Sequence, residues 1–309
     1  MIDTYVLHVT KECNMNCLYC YEQDKTSIYT WEEIKDTIDL IFENLEDEKI
    51  NIEFLGGEPM LAFDYIKNTY DYIEENYKGR VNGYVITTNG TIVTNDLIGF
   101  LKKNQEILFA ISMDGNKFAN QLRVIKNPYG DYNSYDTVVK NIKKLQENDI
   151  NNINIHIVTH PYNIAFMSDS IKHLYELGIK SVGIGTIEST MDLTEDYIFR
   201  FMEEIKKVSS FVKENSDLQI GLFNGVKPLE DVRTYFKDST GKTIVENYGR
   251  SKNTMETDEV SRMDKQDKTS MIIYKLRKFA YDYHNGLLKE EPIKEEKYNS
   301  FNLKNMIKQ

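Results

Sequence analysis

All three cysteines of this 309-residue chain fall in one eight-residue window, Cys13-Asn14-Met15-Asn16-Cys17-Leu18-Tyr19-Cys20. Spacings of three and two residues are too short for a disulfide framework, and three thiols cannot all pair, which points to a reducing, cytoplasmic location. Thiolates are soft ligands that select zinc, copper(I) or iron–sulfur clusters. A structural zinc site wants four protein ligands. The nearest candidate for the fourth is His8, five residues before Cys13. A 4Fe–4S cluster held by three cysteines leaves one iron open to a small chelating ligand.

Other chemistry-bearing residues gather where apolar runs end. Gly56-Gly57-Glu58-Pro59, Thr87-Thr88-Asn89-Gly90 and Ser112-Met113-Asp114-Gly115 each follow such a run, and Arg123 comes eight residues after Gly115. Paired glycines let a backbone approach a ligand closely. His156 and His160 bracket the end of another run; four residues apart in a strand, they share one face. His160, before Pro161 at the C-terminal rim, can meet a substrate, as can Tyr21 and Glu22 just after the cysteines; a satisfied structural histidine is the alternative for His160. The carboxylates of Glu43–Glu48 read as a solvated helix end.

The elements that must position these residues alternate. Strands are expected at Tyr5–Val9, Asn51–Leu55, Tyr84–Thr88, Leu108–Met113, Ile153–Val158 and Ser181–Ile187. Between and after them, helical periodicity covers Thr30–Asn44, Phe63–Tyr77, Asn95 to about Asn104, Ser134–Asn148, Ile164–Leu177 and Thr194–Asn215. Thr30-x-x-Glu33 is a capping box, Asn95 reads as the cap of its helix, and Gly178 as a C-cap. Six strand–helix units imply a parallel sheet with its chemistry at the C-terminal strand ends. The expected fold is α/β, a partial (β/α)6 TIM-like barrel over residues 1–215, preferred to an open doubly wound sheet. A mixed, mostly helical C-terminal extension covers 216–309. It holds one short strand at Leu218–Leu222, a polar linker or loop at Ser251–Ser270 and a helix at Met271–Tyr283.

The composition, 40% hydrophobic and 28% charged, is that of a globular protein. A net charge of -11 disfavours nucleic acid, which usually needs a basic face, and suits a cationic peptide better. No apolar run reaches the roughly 18 residues of a membrane span, and the first residues lack the basic start of a signal peptide.

The run Cys13-x3-Cys17-x2-Cys20, with an aromatic at Tyr19, resembles the signature of radical S-adenosylmethionine (SAM) enzymes. In that family the cofactor's methionine moiety chelates the open iron. Reductive cleavage then yields a 5′-deoxyadenosyl radical that abstracts a substrate hydrogen atom. The resemblance implies cluster ligation by Cys13, Cys17 and Cys20, with Tyr19 near the adenine. Gly56, Gly57 and Glu58 match the family's GGE motif and would hold the cofactor ammonium. The Thr-Asn-Gly and Ser-Met-Asp-Gly loops look like the peptide- and protein-modifying branch, notably sulfatase maturases and ribosomal-peptide maturases. By that likeness Asn89, Ser112 and Arg123 contact the cofactor, Ser112 and Arg123 through its carboxylate. Gly183-Ile184-Gly185-Thr186-Ile187-Glu188 loosely resembles the adenine-contacting segment, with its glutamate one residue early, and adds Ile187.

Two departures stand out. Phe118-Ala119-Asn120-Gln121 lies where many members have a His-Asp or His-Asn pair, and no cysteine follows residue 20, so the SPASM-type auxiliary clusters have no ligands. The resemblance covers about residues 5–190. It implies a radical SAM enzyme that crosslinks or oxidises a peptide or small protein, served by an electron donor such as a flavodoxin or ferredoxin. The alternatives are a small-molecule or nucleoside substrate, a non-catalytic degenerate scaffold, and a zinc-binding module.

Overall fold

Alternating burial gives the central strands Ile50–Gly56, Val81–Thr88, Ile153–Thr159 and Ser181–Thr186 one face for the core and one that solvent reaches. The computed structural model describes residues 4–22, 25–26, 29–43, 45, 49–187, 191–225, 232–237, 243–247, 255–256 and 268–288. Its elements run β1 (Thr4–Thr10), α1 (Trp31–Glu43), β2 (Ile50–Gly56), α2 (Phe63–Asn76), β3 (Val81–Thr88), α3 (Asn95–Lys103) and β4 (Leu108–Ser112). Next come β5 (Val124–Ile125), β6 (Tyr132–Asn133), α4 (Tyr135–Gln146), β7 (Ile153–Thr159), α5 (Met167–Glu176), β8 (Ser181–Thr186) and α6 (Glu195–Glu214). The chain continues with β9 (Gln219–Ile220), β10 (Val232–Lys237), β11 (Thr243–Asn247), β12 (Met255–Glu256) and α7 (Lys268–His284).

The six long strands that alternate with helices are neighbours in chain order, β1-β2-β3-β4-β7-β8, and every pair is parallel. Right-handed crossovers that always step to the same side place all their helices on one face of the sheet. This is the singly wound, partial-barrel arrangement. Strand order never reverses, as it must in a doubly wound sheet. β9 extends the sheet beyond β8, while β10 pairs parallel with β1 and carries β11 and β12 antiparallel.

The helix-facing side is apolar up to the threonines Thr88, Thr159 and Thr186 at the strand ends. Tyr5, Leu7, Ile52, Phe54, Ile86, Phe109, Ile111, Ile155, Ile157 and Val182 join Ile38, Ile66, Leu97, Ile142, Leu174 and Phe201 from the helices in one buried core. Each such side chain contributes about 1.5–3 kcal/mol relative to exposure. The intervening residues of β2, β3, β7 and β8 are partly accessible. Solvent therefore reaches the inner face of the curved sheet, which encloses a chamber.

Local signals were mostly legible. The capping box forms: the Thr30 N–H donates to Glu33 Oε2 (2.8 Å) and the Glu33 N–H to Thr30 Oγ1 (3.3 Å). Gly178, at φ 85°, closes α5 in a Schellman motif, with the Ile179 N–H on Leu174 O. The cap of α3 is Thr94, whose hydroxyl accepts from the Leu97 N–H, so Asn95 is its first helical residue. The strand expected at Leu218–Leu222 shortens to Gln219–Ile220 and turns into a 3-10 segment. Strands β10–β12 and the β5–β6 hairpin were not foreseen. Most of 251–270 lies outside the described residues, as does Glu188. No helix among the described residues is long and apolar enough to cross a membrane.

Candidate active site

The cysteine loop leaves the C-terminal end of β1 and is clamped by backbone on both sides. On one side the Gly57 N–H donates to Thr10 O (2.9 Å) and the Glu58 N–H to Glu12 O (2.7 Å). On the other, the Asn16 N–H bonds Val124 O (2.8 Å), Leu18 N–H bonds Leu122 O (3.0 Å), and Lys126 N–H bonds Asn14 O (3.0 Å). A Met15–Ile125 bridge completes this second clamp. The Lys126 ammonium adds a bond to Cys13 O (2.9 Å).

The glycine pair explains the first clamp. Gly56 sits at φ 152°, and a Cβ there would lie 2.1 Å from Thr10 O. A Cβ on Gly57 would lie 2.4 Å from both Lys11 O and Glu12 O. The close backbone approach expected at this turn is thus made to the cysteine loop itself.

Glu58 is completely buried. Its Oε1 accepts from the Met60 N–H (3.0 Å) and Thr88 Oγ1 (2.6 Å), and its Oε2 from the Asn89 N–H (2.7 Å). Burial pushes its pKa from 4.5 up to about 7, against the pull of these donors. The carboxylate expected to meet an ammonium ties the turn after β2 to the end of β3. Asn89 carries the tie onward. Its Nδ2 donates to Asn14 Oδ1 (2.8 Å) and lies 3.9 Å from Cys13 Sγ, while its Oδ1 accepts from Thr91.

The other side of the loop rests on a buried charge network. The Tyr19 hydroxyl donates to Asp114 Oδ2 (2.6 Å), and the Val158 N–H donates to Asp114 Oδ1 (3.1 Å). Arg123 Nε approaches Asp114 Oδ1 to 2.9 Å, although the N–H is not aimed at that oxygen, so charge holds the pair. The guanidinium also lies over the Tyr19 ring at 5.3 Å. Burial alone would weaken the Arg123 charge; the Asp114 carboxylate outweighs it and raises the pKa. His160 packs on Tyr19 at 5.1 Å between ring centres, with its Nε2 4.0 Å from Asp114 Oδ2. Burial lowers its pKa to about 4, so it is neutral at pH 7. Ser112, in register with His156, ends β4 on the chamber side, and the buried Ile187 extends β8 through its N–H bond to Thr159 O (2.9 Å). Tyr21 is exposed.

The structure gathers the three cysteines, Tyr19, Gly56–Glu58, Asn89 and Arg123 around one loop. Asp114 had been read only as part of the Ser-Met-Asp-Gly loop, yet it is the hub of the charge network. The 122–126 clamp, which contains Arg123, carries no other signal in the sequence, because two-residue strands carry no periodicity.

The chamber wall below adds His8, Glu53 and His156. Burial lowers the pKa of both histidines to about 4. A Cβ on Gly183 or Gly185 would lie 3.1 Å from the His156 ring, so the two glycines of β8 make room for that ring.

The cysteine loop fits an iron–sulfur cluster. None of the three cysteines forms a disulfide, and each is half-buried. Burial raises the Cys13 and Cys17 pKa values, Cys17 to about 11, and the neighbouring thiols reinforce both shifts. Ionising these thiols together therefore calls for a cationic centre, which deprotonates thiols that bind it. Among the described residues no group of three His, Cys, Asp or Glu side chains is drawn together tightly enough for a single metal ion.

Comparison with known proteins identifies the family. A family model described as Radical SAM superfamily matches residues 7–174. The uncharacterized protein MJ0907 of Methanocaldococcus jannaschii is 34% identical over 184 residues, 59% of this chain and 62% of that protein. A structure of native anSMEcpe with bound AdoMet and Cp18Cys peptide superposes with a TM-score of 0.61 at 21% identity, covering 74% of this chain and 65% of that one. Streptococcus suis SuiB bound to precursor peptide SuiA gives 0.54 at 17% identity, covering 71% and 48%. The chain spans less than two thirds of the length of each of these relatives, and at such identities the two structures speak to the fold. The family match takes in more than half of the chain, including the three cysteines: this protein belongs to the radical SAM superfamily.

Proposed function

We propose that the chain binds a 4Fe–4S cluster and S-adenosylmethionine and uses them to modify a peptide or small protein. When bound, the pair supplies one-electron cleavage of a sulfonium and abstraction of a substrate hydrogen atom. Cys13, Cys17 and Cys20 hold the cluster. Backbone groups of Gly56–Glu58 receive the cofactor ammonium, and Glu58 and Asn89 keep that turn against the cysteine loop. Ser112 and Arg123 receive the carboxylate, with Asp114 fixing the guanidinium. Tyr19 and Ile187 flank the adenine. The neutral His156 and His160 add no competing charge to the chamber rim.

The observation that carries this reading is the clamped three-cysteine loop, whose donor set is soft, incomplete and poised at the mouth of an accessible chamber. A peptide substrate is supported by two folds of this kind that were solved with peptides bound. A flavodoxin or ferredoxin as electron source, and a cytoplasmic location, belong to the same reading. Anaerobic reconstitution with iron and sulfide, followed by S-adenosylmethionine and dithionite, tests it. The expected product is 5′-deoxyadenosine, with release stimulated by a cognate peptide. Protein that takes up zinc in place of iron, or releases no deoxyadenosine, overturns the reading. Stimulation by a nucleoside or metabolite, and by no peptide, would replace the substrate class.

A further inference from the structure

One acidic side chain interrupts the inner wall of the chamber. Glu53 lies at the middle of β2, in register with Val6 of β1 and Val85 of β3. Both flanking residues are apolar. Its Oε1 accepts a hydrogen bond from Thr87 Oγ1 (2.7 Å), and no further bond to the carboxylate forms among the described residues. Glu53 is partly accessible, on the face of β2 that solvent reaches, and burial raises its pKa with only the Thr87 bond opposing. Thr87 lies two residues before Asn89, which reaches Cys13, so this carboxylate sits just below the cysteine loop. The other ionisable groups on the wall of the six central parallel strands are His8 and His156, both neutral at pH 7. Arg277 of α7 adds to the lowering of the His156 pKa, whereas the Glu53 shift comes from burial and the Thr87 bond alone.

A partly enclosed carboxylate with one neutral donor and no countercharge among the described side chains is costly unless the chamber's occupant brings a cation. We propose that Glu53 is a specificity-determining residue that receives a cationic group of the substrate, a lysine or arginine side chain. This rests on the reading of the chamber as a peptide site. It accords with a chain whose formal charge is -11.

The test is selection of a random linear peptide library on the full-length, anaerobically reconstituted protein. Selected peptides are then titrated against wild type, E53Q, T87V and D169N, the last removing an exposed carboxylate. Peptides won on wild type are expected to contain Lys or Arg. They should lose affinity on the order of 30-fold on E53Q, the scale for stranding one partner of a buried charge pair, and comparably when that Lys is replaced by norleucine. T87V and D169N should bind within a few-fold of wild type. The norleucine arm needs no protein variant, so a folding defect in E53Q cannot decide the outcome. Winners that lack a basic residue, winners that bind E53Q as tightly as wild type, or an absence of winners overturns the proposal. Deoxyadenosine release without peptide reads cluster and cofactor separately. Its loss in wild type would overturn the proposed function, whereas its retention in E53Q alongside lost peptide affinity confines the effect to substrate.

Discussion

Replacing Gly57 by alanine separates two reasons for a glycine pair at this turn. If the pair served only a ligand, G57A would leave the apoprotein untouched. The structure says otherwise, because the new Cβ would lie 2.4 Å from two backbone oxygens, Lys11 O and Glu12 O, and 2.7 Å from Glu12 C. Backbone atoms cannot rotate aside, so one loop must move by about an ångström. Overpacking of this kind costs about 1–3 kcal/mol. The movement also strains the Gly57–Thr10 and Glu58–Glu12 hydrogen bonds, adding about 1–2 kcal/mol for the two. A total of about 2–5 kcal/mol corresponds to a fall in melting temperature of about 10 °C. Thermal unfolding of the metal-free protein, followed by circular dichroism, measures this directly. Iron and sulfide content after reconstitution then reports on the displaced cysteine loop, and should fall with stability. A G57A protein with wild-type melting and full iron content would refute the backbone-packing argument.

Alanine at Cys13, Cys17 or Cys20 should abolish iron and sulfide binding while circular dichroism remains that of the wild type. Retention of a cluster by all three variants would reject the ligand assignment. Replacing Asp114 by Asn strands the buried Arg123 charge and should cost about 3–5 kcal/mol in urea unfolding, against about 1 kcal/mol for Y19F, which removes one hydrogen bond. Equal costs would deny Asp114 its role as countercharge. Glu58 adds a pH signature in the apoprotein. Its folded pKa of about 7 exceeds the ordinary 4.5, so above pH 4.5 the unfolded state releases the proton first. Its contribution to stability is full below pH 4.5 and declines as pH rises through about 7, by about 3 kcal/mol in all. E58Q should lack this decline, and identical pH profiles for the two proteins would contradict the burial argument.

Much of the fold was legible because its signals are local. The run from Ile153 to Ile157 alternates in the sequence as it does against the core, and Thr30 and Glu33 need only each other to form their box. The parts that escaped notice depend on distant partners. Val124–Ile125 and Tyr132–Asn133 are too short to show a period, and their strand character comes from pairing with each other and, through Ile125, with the cysteine loop. Asp114 reads as one polar residue in a turn until Tyr19, Val158 and Arg123 converge on it.

By itself the sequence determined the donor set, three soft ligands in one window, and the order of strands and helices, since thiol chemistry and periodicity are properties of neighbouring residues. Only the tertiary structure decided what each polar residue faces. It turned Glu58 inward as a structural tie, brought Gly56 and Gly57 against the cysteine loop, and left Glu53 looking into the chamber. Those outcomes follow from strand register and sheet curvature, which set distances between residues far apart in the chain and are written in no single segment of it.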